Sequence, residues 1–205
     1  MDMREHWDRV YQTKAADQVS WFRPHLESSL ADVERAAKDR SAFIIDIGGG
    51  ASTLVDDLLN NGYRNLTVLD ISQAAIGLAK RRLGRAPASV EWLCAEVTQA
   101  PLPENHYDVW HDRAVFHFLT EPSERLAYAA KASSAIKTGG HLILSAFGPE
   151  GPERCSGLDT MRYDAESLHR ELGRGLHLME SSINWHRTPS GAMQQFLRCH
   201  FRRER

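Results

Sequence analysis

Only three cysteines occur in the 205-residue chain, and Cys94, Cys155 and Cys199 lie far apart with no Cys-x-x-Cys pair among them. A set this sparse excludes a disulfide framework, offers no zinc-ligand spacing and suits a reducing compartment. No metal is expected. Long apolar runs are missing too, so nothing approaches the length needed to span a bilayer. The N-terminus, MDMREHWDRVYQ, is charged from its second residue and lacks the apolar stretch of a secretory signal. These absences predict a cytoplasmic protein with no membrane partner. Charge of one sign is also lacking: 25 Lys plus Arg against 27 Asp plus Glu leave a net charge of −2. That balance gives no electrostatic reason to expect nucleic acid, and the basic tail from Phe201 reads as a solvated terminus. Internal repeats and low-complexity segments are absent.

What is present is an ordinary globular composition, 42% hydrophobic and 25% charged, at a length that suits one domain. Trp7, Val10 and Tyr11 recur at helical spacing over about Arg4–Tyr11, and His25–Lys38 carries Leu26, Leu30 and Val33 on one face. Between them, Lys14–Pro24 reads as a loop. From Phe43 onward, short apolar runs alternate with helical periods. Strands are expected at Phe43–Ile47, Leu66–Leu69, Ser89–Cys94, Tyr107–His111 and His141–Ala146. Helices are expected at Thr53–Asn61, Gln73–Leu83, Glu124–Ile136 and Asp164–Leu172, with Thr138-Gly-Gly140 as a stop after the third. Leu176–Trp185 and Gln194–Arg202 read as a terminal antiparallel pair. The prediction is a doubly wound, Rossmann-like α/β domain: seven strands, mostly parallel, the last pair antiparallel. Residues 1–40 would form a helical cap on a 41–205 core.

In such a sheet, ligands sit beyond the carboxyl ends of the strands. The run "FIIDIGGGASTLVD" places Gly48, Gly49 and Gly50 at the first of those ends, where a missing Cβ lets a ligand reach the backbone. Asp70 ends the next strand, 22 residues after Gly48, where an acid accepts hydrogen bonds from ribose hydroxyls. Together they read as a nucleoside site. A nicotinamide fingerprint is incomplete, because Thr53 stands where the third small residue belongs. Tyr128-Ala-Ala-Lys131 is one residue too short for a Tyr-x-x-x-Lys pair, and the Gly-Lys-Ser/Thr of a P-loop is missing. Hydride and nucleotide-hydrolysis chemistry are therefore disfavoured.

The strings "IIDIGGGAS", "LTVLDIS", "CAEV" and "YDVWHDRAVFHFL" resemble the successive motifs of class I S-adenosylmethionine-dependent methyltransferases. "FGPEGPERCSGLDTMRYDAESL" and "HRTPSGAMQQFLRCHFRR" are similar to a group of small single-domain bacterial enzymes of that class. "HDRAVFHF" is loosely similar to a segment of the methyltransferase-like protein lysine methyltransferases. The resemblance implies S-adenosyl-L-methionine as cofactor. It places Asp46 and Gly48–Gly50 against the methionine moiety, with Ser52 near its carboxylate. It gives Asp70 the ribose hydroxyls and sets Ile71 on the adenine, with Ser72 in the same wall. Glu96 and the Val97 backbone would read the adenine edge, and Asp112 and Arg113 would flank the reactive methyl.

Methyl transfer needs a base only when the acceptor must lose a proton. His117 is the candidate base, with burial among Val115, Phe116 and Phe118 as the competing reading. His111 reads as a buried strand residue. Trp7, Tyr11, Trp21 and Arg23 are a candidate lid, with Trp21 counted as cofactor-binding. The Gly148–Gly157 loop, with Cys155, would border the substrate. No Asn/Asp-Pro-Pro-Tyr/Phe follows the fourth strand, which argues against DNA adenine. The expected function is methylation of a small-molecule thiol, amine or hydroxyl by a monomer or weak dimer. A protein lysine is the alternative acceptor, and a non-catalytic cofactor-binding module is a third reading.

Overall fold

The computed structural model describes residues 2–15, 18–84 and 90–204. Ser89, expected to open the third strand, lies outside the described residues, as do part of the 14–24 loop and Arg205 of the tail. Two helices, α1 (Met3–Thr13) and α2 (Glu27–Ala36), precede the sheet. Strands β1 (Phe43–Ile47), β2 (Asn65–Asp70), β3 (Val90–Cys94), β4 (Tyr107–Arg113) and β5 (Ile136–Phe147) all run parallel. They are joined by α3 (Leu54–Asn60), α4 (Gln73–Leu83) and α5 (Pro122–Ala135), apart from β3 and β4, which a loop connects. A small hairpin, β6 (Arg154–Cys155) and β7 (Leu158–Asp159), follows, then α6 (Ala165–Leu172), β8 (Leu176–Arg187) and β9 (Met193–Arg203).

The sheet order is β3-β2-β1-β4-β5-β9-β8. β9 inserts between β5 and β8 and runs against both, so it alone opposes the other six. The expected seven-stranded, doubly wound α/β sheet is present. Its central strands carry apolar residues on both faces, because both faces are covered. Ile44, Val68 and Val109 pack under α2 and α3, against Val33, Leu54 and Leu58. Ile45, Leu142 and Leu144 pack on the opposite face under α5 and α6, against Tyr128, Ala132 and Leu168. Burial of each such aliphatic side chain contributes about 1.5–3 kcal/mol. Among the described residues, no helix is long and apolar enough to cross a membrane.

Three elements differ from expectation. Thr138-Gly-Gly140 does not stop the chain: β5 starts at Ile136, straight out of α5. Gly139 takes a φ of +78°, and a Cβ on Gly140 would lie 3.0 Å from the Asp108 carbonyl oxygen. The pair therefore makes a bulge, seen as the register slip between Tyr107 and Val109, rather than a break. β4 runs two residues beyond His111, so Asp112 and Arg113 belong to the strand. Part of the 148–157 loop folds into the β6–β7 hairpin, whose turn residues Ser156 and Gly157 both have positive φ. The strand order reverses between β1 and β4, which makes their carboxyl ends the natural crevice.

Candidate active site

At the end of β1 the glycines make room for two carboxylates. Gly48 has a φ of +67° and donates its N–H to the Leu69 carbonyl at 2.7 Å. A Cβ on Gly49 would collide with Asp46 Oδ2, and one on Gly50 would lie 2.6 Å from Asp70 Oδ2. Asp46 is buried. Its Oδ1 sits 2.7 Å from His111 Nδ1, while Oδ2 has no protein partner. A buried carboxylate oxygen without a donor is costly, so this one is poised for a ligand. It borders a cavity of about 50 Å³ whose wall also holds Gly48, Ser52, Arg23 and Arg113. One anion and two cations around so small a space suit a zwitterionic amino-acid group.

Asp70, at the end of β2, accepts from Gly50 N–H at 2.9 Å and from Ser72 N–H at 2.8 Å. Burial raises its carboxyl to about 6, against the opposing pull of those two N–H groups. It opens on a second cavity of about 520 Å³, with Ile71, Glu96 and Val97 beside it. Glu96 has its own partners, accepting from Thr98 Oγ1 at 2.9 Å and Gln99 Nε2 at 3.1 Å. Gly50 and Ser72 were both expected against the cofactor, yet neither lines a cavity. They act one step back, holding Asp70, and Ser72 is fully buried as the N-cap of α4.

The two cavities share the residues Tyr11, Trp21, Ile47, Gly48 and Arg113. The roof over that junction comes from the N-terminal segment. Trp21 stacks edge-on with Trp7 (5.6 Å) and Tyr11 (6.2 Å), and Trp7 with Phe118 (5.1 Å). Arg113 donates to the Trp21 carbonyl at 3.0 Å. Burial lowers the Arg113 guanidinium to about 10, and the nearby Arg23 adds to that, which still leaves it a cation at neutral pH. Burial, then the charge of Asp70, hold the Tyr11 phenol well above its usual range.

Two residues expected to do chemistry have other geometry. Asp112 is fully buried and lines neither cavity; Tyr128 O–H donates to its Oδ2 at 2.6 Å and Val115 N–H to its Oδ1 at 2.9 Å. Trp110 Nε1–H in turn donates to Tyr128 at 2.9 Å, so Asp112 anchors a buried chain of hydrogen bonds instead of flanking a methyl. His117 lines the larger cavity but is also fully buried, stacked on Phe147 at 4.1 Å. The Phe147 N–H donates to His117 Nδ1 at 3.2 Å, which places the ring proton on Nε2. Burial lowers His117 to about 3. A neutral imidazole whose one lone pair is taken has no acceptor left to offer, and the base assignment is corrected accordingly. His111 is buried in the strand as expected, with Asp46 as its partner.

Asp8 is a contributor that sequence reading missed. From α1 its Oδ1 accepts from Ser72 Oγ at 2.6 Å and Ala74 N–H at 2.9 Å, tying the roof to the start of α4. Only the long-range meeting of α1 and α4 gives it this role, and no local pattern announces it. Phe147, Phe196 and Gln194 also line the larger cavity. Cys155 sits in the same wall, 3.8 Å from Ser20 Oγ, with burial raising its thiol. Among the described residues no cluster of three metal-ligating side chains occurs.

A family model described as a methyltransferase domain matches residues 44–140. A malonyl-[acyl-carrier protein] O-methyltransferase of Anoxybacillus flavithermus is 39% identical over 107 residues, covering 51% of this chain and 39% of that protein. An eEF1A lysine and N-terminal methyltransferase of Mus musculus is 22% identical over 145 residues, covering 68% of this chain and 20% of that one. The chain thus spans well under half the length of these relatives. Among solved structures, the Burkholderia thailandensis 1,6-didemethyltoxoflavin-N1-methyltransferase with bound S-adenosylhomocysteine superposes with a TM-score of 0.71 at 18% identity. That match covers 98% of this chain and 84% of the other, and shows a shared fold.

Proposed function

We propose that this chain, which belongs to the class I S-adenosylmethionine-dependent methyltransferases, methylates a small-molecule nucleophile. The observation that carries the reading is the unpartnered Asp46 Oδ2, buried between the glycine turn and two arginines, one strand away from Asp70. When bound, the cofactor supplies an electrophilic methyl on a positively charged sulfur, and this family uses it for group transfer. Asp46 Oδ2 would accept from the amino group of its methionine half, and Arg23 would face the carboxylate, with Ser52 beside it and Arg113 at the junction with the larger cavity. Asp70 would accept from the ribose hydroxyls. Ile71, Glu96 and Val97 would wall the adenine.

What the chain then contributes to rate is proximity and exclusion of water, the usual protein share when a cofactor carries the reactive group. The N-terminal cap supplies the exclusion, with Trp7, Tyr11 and Trp21 as its roof. A roofed cavity of this size favours a small acceptor over a lysine on a protein surface. The Anoxybacillus relative, an O-methyltransferase by name, supports an oxygen acceptor among the candidates.

Calorimetric titration with S-adenosylmethionine and, separately, NADH tests the cofactor half. The first is expected to bind and the second not. An Asp46→Asn variant that kept full affinity would remove the central support.

A further inference from the structure

We infer that the acceptor is an acid whose nucleophilic atom is already anionic when it binds, carried on a flat apolar body. This rests on the methyltransferase reading above and names the substrate class for the same site. Beyond the adenosyl wall, the larger cavity is lined by Trp7, Trp21, Phe118, Phe147 and Phe196. Such walls select flat hydrophobic groups by area and by edge-to-face contact.

The titratable groups of that wall carry the rest. Tyr11 and Arg113 stand where the cavities meet, and neither is a base at neutral pH, the first being a phenol held protonated and the second a cation. His117 has no lone pair to spare, because Nδ1 accepts from the Phe147 N–H and the proton sits on the buried Nε2. The Cys155 thiol is held protonated by burial. Each inner carboxylate already has donors. Asp70 has Gly50 and Ser72, Glu96 has Thr98 and Gln99, and Glu124 Oε2 accepts from Glu121 N–H at 3.3 Å. At the mouth, Asp2 Oδ1 accepts from Arg4 N–H at 2.8 Å, beside the exposed Arg4 and Glu121. With Asp70 committed to the ribose in the reading above, the acceptor part of the cavity holds, among the described residues, no inner titratable group left without a donor, while it does hold a half-buried cation.

An amine arriving as ammonium, or an alcohol, would have to shed a proton to a group of the site. A thiolate or carboxylate sheds none. Its lone pair forms the new bond to the methyl carbon, the electrons of the old carbon–sulfur bond stay on that sulfur, and no proton moves. Arg113 would draw the anion in and hold it ionised.

The test uses the full chain saturated with S-adenosylhomocysteine, titrated calorimetrically with benzoate, thiophenol at a pH where it is ionised, benzylamine and benzyl alcohol. Either anion is expected to bind at least about tenfold tighter than the amine or alcohol. Comparison of benzoate with thiophenolate then tells carboxylate from thiolate. Equal or weaker binding of both anions, or no binding of either, overturns the inference. Turnover with S-adenosylmethionine gives a second readout across substituted thiophenols. The pH midpoint of kcat/KM is expected to move with each acceptor's own pKa, the rate falling about tenfold per pH unit below it. Glu121→Gln is expected to leave that midpoint in place. A midpoint common to all acceptors, or one abolished by Glu121→Gln, would reveal a protein base and sink the idea. Failure of the protein to bind S-adenosylhomocysteine at all would instead refute the methyltransferase reading beneath it.

Discussion

The two halves of the crevice treat their buried acids in opposite ways. On the β1–β2 side, Asp46 keeps one oxygen unpartnered at the wall of the smaller cavity, and Asp70, held by Gly50 and Ser72, lines the larger one. On the β4 side, Asp112 is just as buried and likewise raised to about 6 by that burial, yet it lines neither cavity and is held by Tyr128 and Val115. A raised carboxyl therefore does not by itself mark a reacting group. Open valence does. By that measure the chain, in its proposed function, directs its polar chemistry at the cofactor and leaves the acceptor side to shape, aromatic surface and one arginine.

Replacement of the open acid has the largest expected effect. Asp70→Ala removes the acceptor proposed for two ribose hydroxyls, and hydrogen bonds to a charged group contribute about 1.5–3 kcal/mol each. Calorimetry should show S-adenosylmethionine affinity falling by on the order of a hundredfold or more. The wild-type affinity should also titrate. The ionised form is the one that accepts from the hydroxyls, so binding weakens as pH falls through about 6 and is flat well above it. An affinity independent of pH between 5 and 8 would mean that Asp70 does not face the ribose. Gly49→Ala comes next. Its Cβ would press on Asp46 Oδ2, so affinity should drop by about tenfold, with a stability loss of about 1–3 kcal/mol from overpacking. If cofactor binding survives intact, the turn is not the methionine seat.

Much of the open side was legible in the sequence, because it is local. Gly48 to Gly50 and Asp70 sit at consecutive strand ends, and short apolar runs announce those ends. The sealed side was not legible. Asp112 is closed by Tyr128, sixteen residues away on α5, and His117 is pinned by the backbone of Phe147, thirty residues on. Neither partner follows from spacing along one element, so both residues read as free chemistry when seen only as "HDRAVFHF". The roof is mixed. Trp7, Tyr11 and Trp21 stand out as aromatics in a polar segment, whereas Asp8 acquires its role only when α1 meets α4.

Asp112→Asn sharpens the contrast from the sealed side. The amide can still accept from Val115 N–H, but its geometry toward Tyr128 changes, and one buried charge-assisted bond is lost. Stability to urea should fall by about 1–2 kcal/mol, with cofactor affinity held within about threefold. A large loss of turnover without loss of stability would return Asp112 to the chemistry and erase the distinction.

His117 should give the smallest change of all if its substitution is chosen to respect the backbone. The ring accepts one hydrogen bond, from the Phe147 N–H, and an asparagine carbonyl can take the place of Nδ1. His117→Asn should therefore fold, losing only part of the stacking on Phe147. His117→Ala would leave that buried N–H unpaired, costing about 1–3 kcal/mol for a reason unrelated to catalysis. Because burial lowers the imidazole to about 3, it is neutral throughout the working range. The pH profile of kcat/KM between 5 and 9 should have the same shape in wild type and His117→Asn. Loss of an inflection in the variant would show that the ring carries a proton during turnover, against the tautomer that Phe147 imposes.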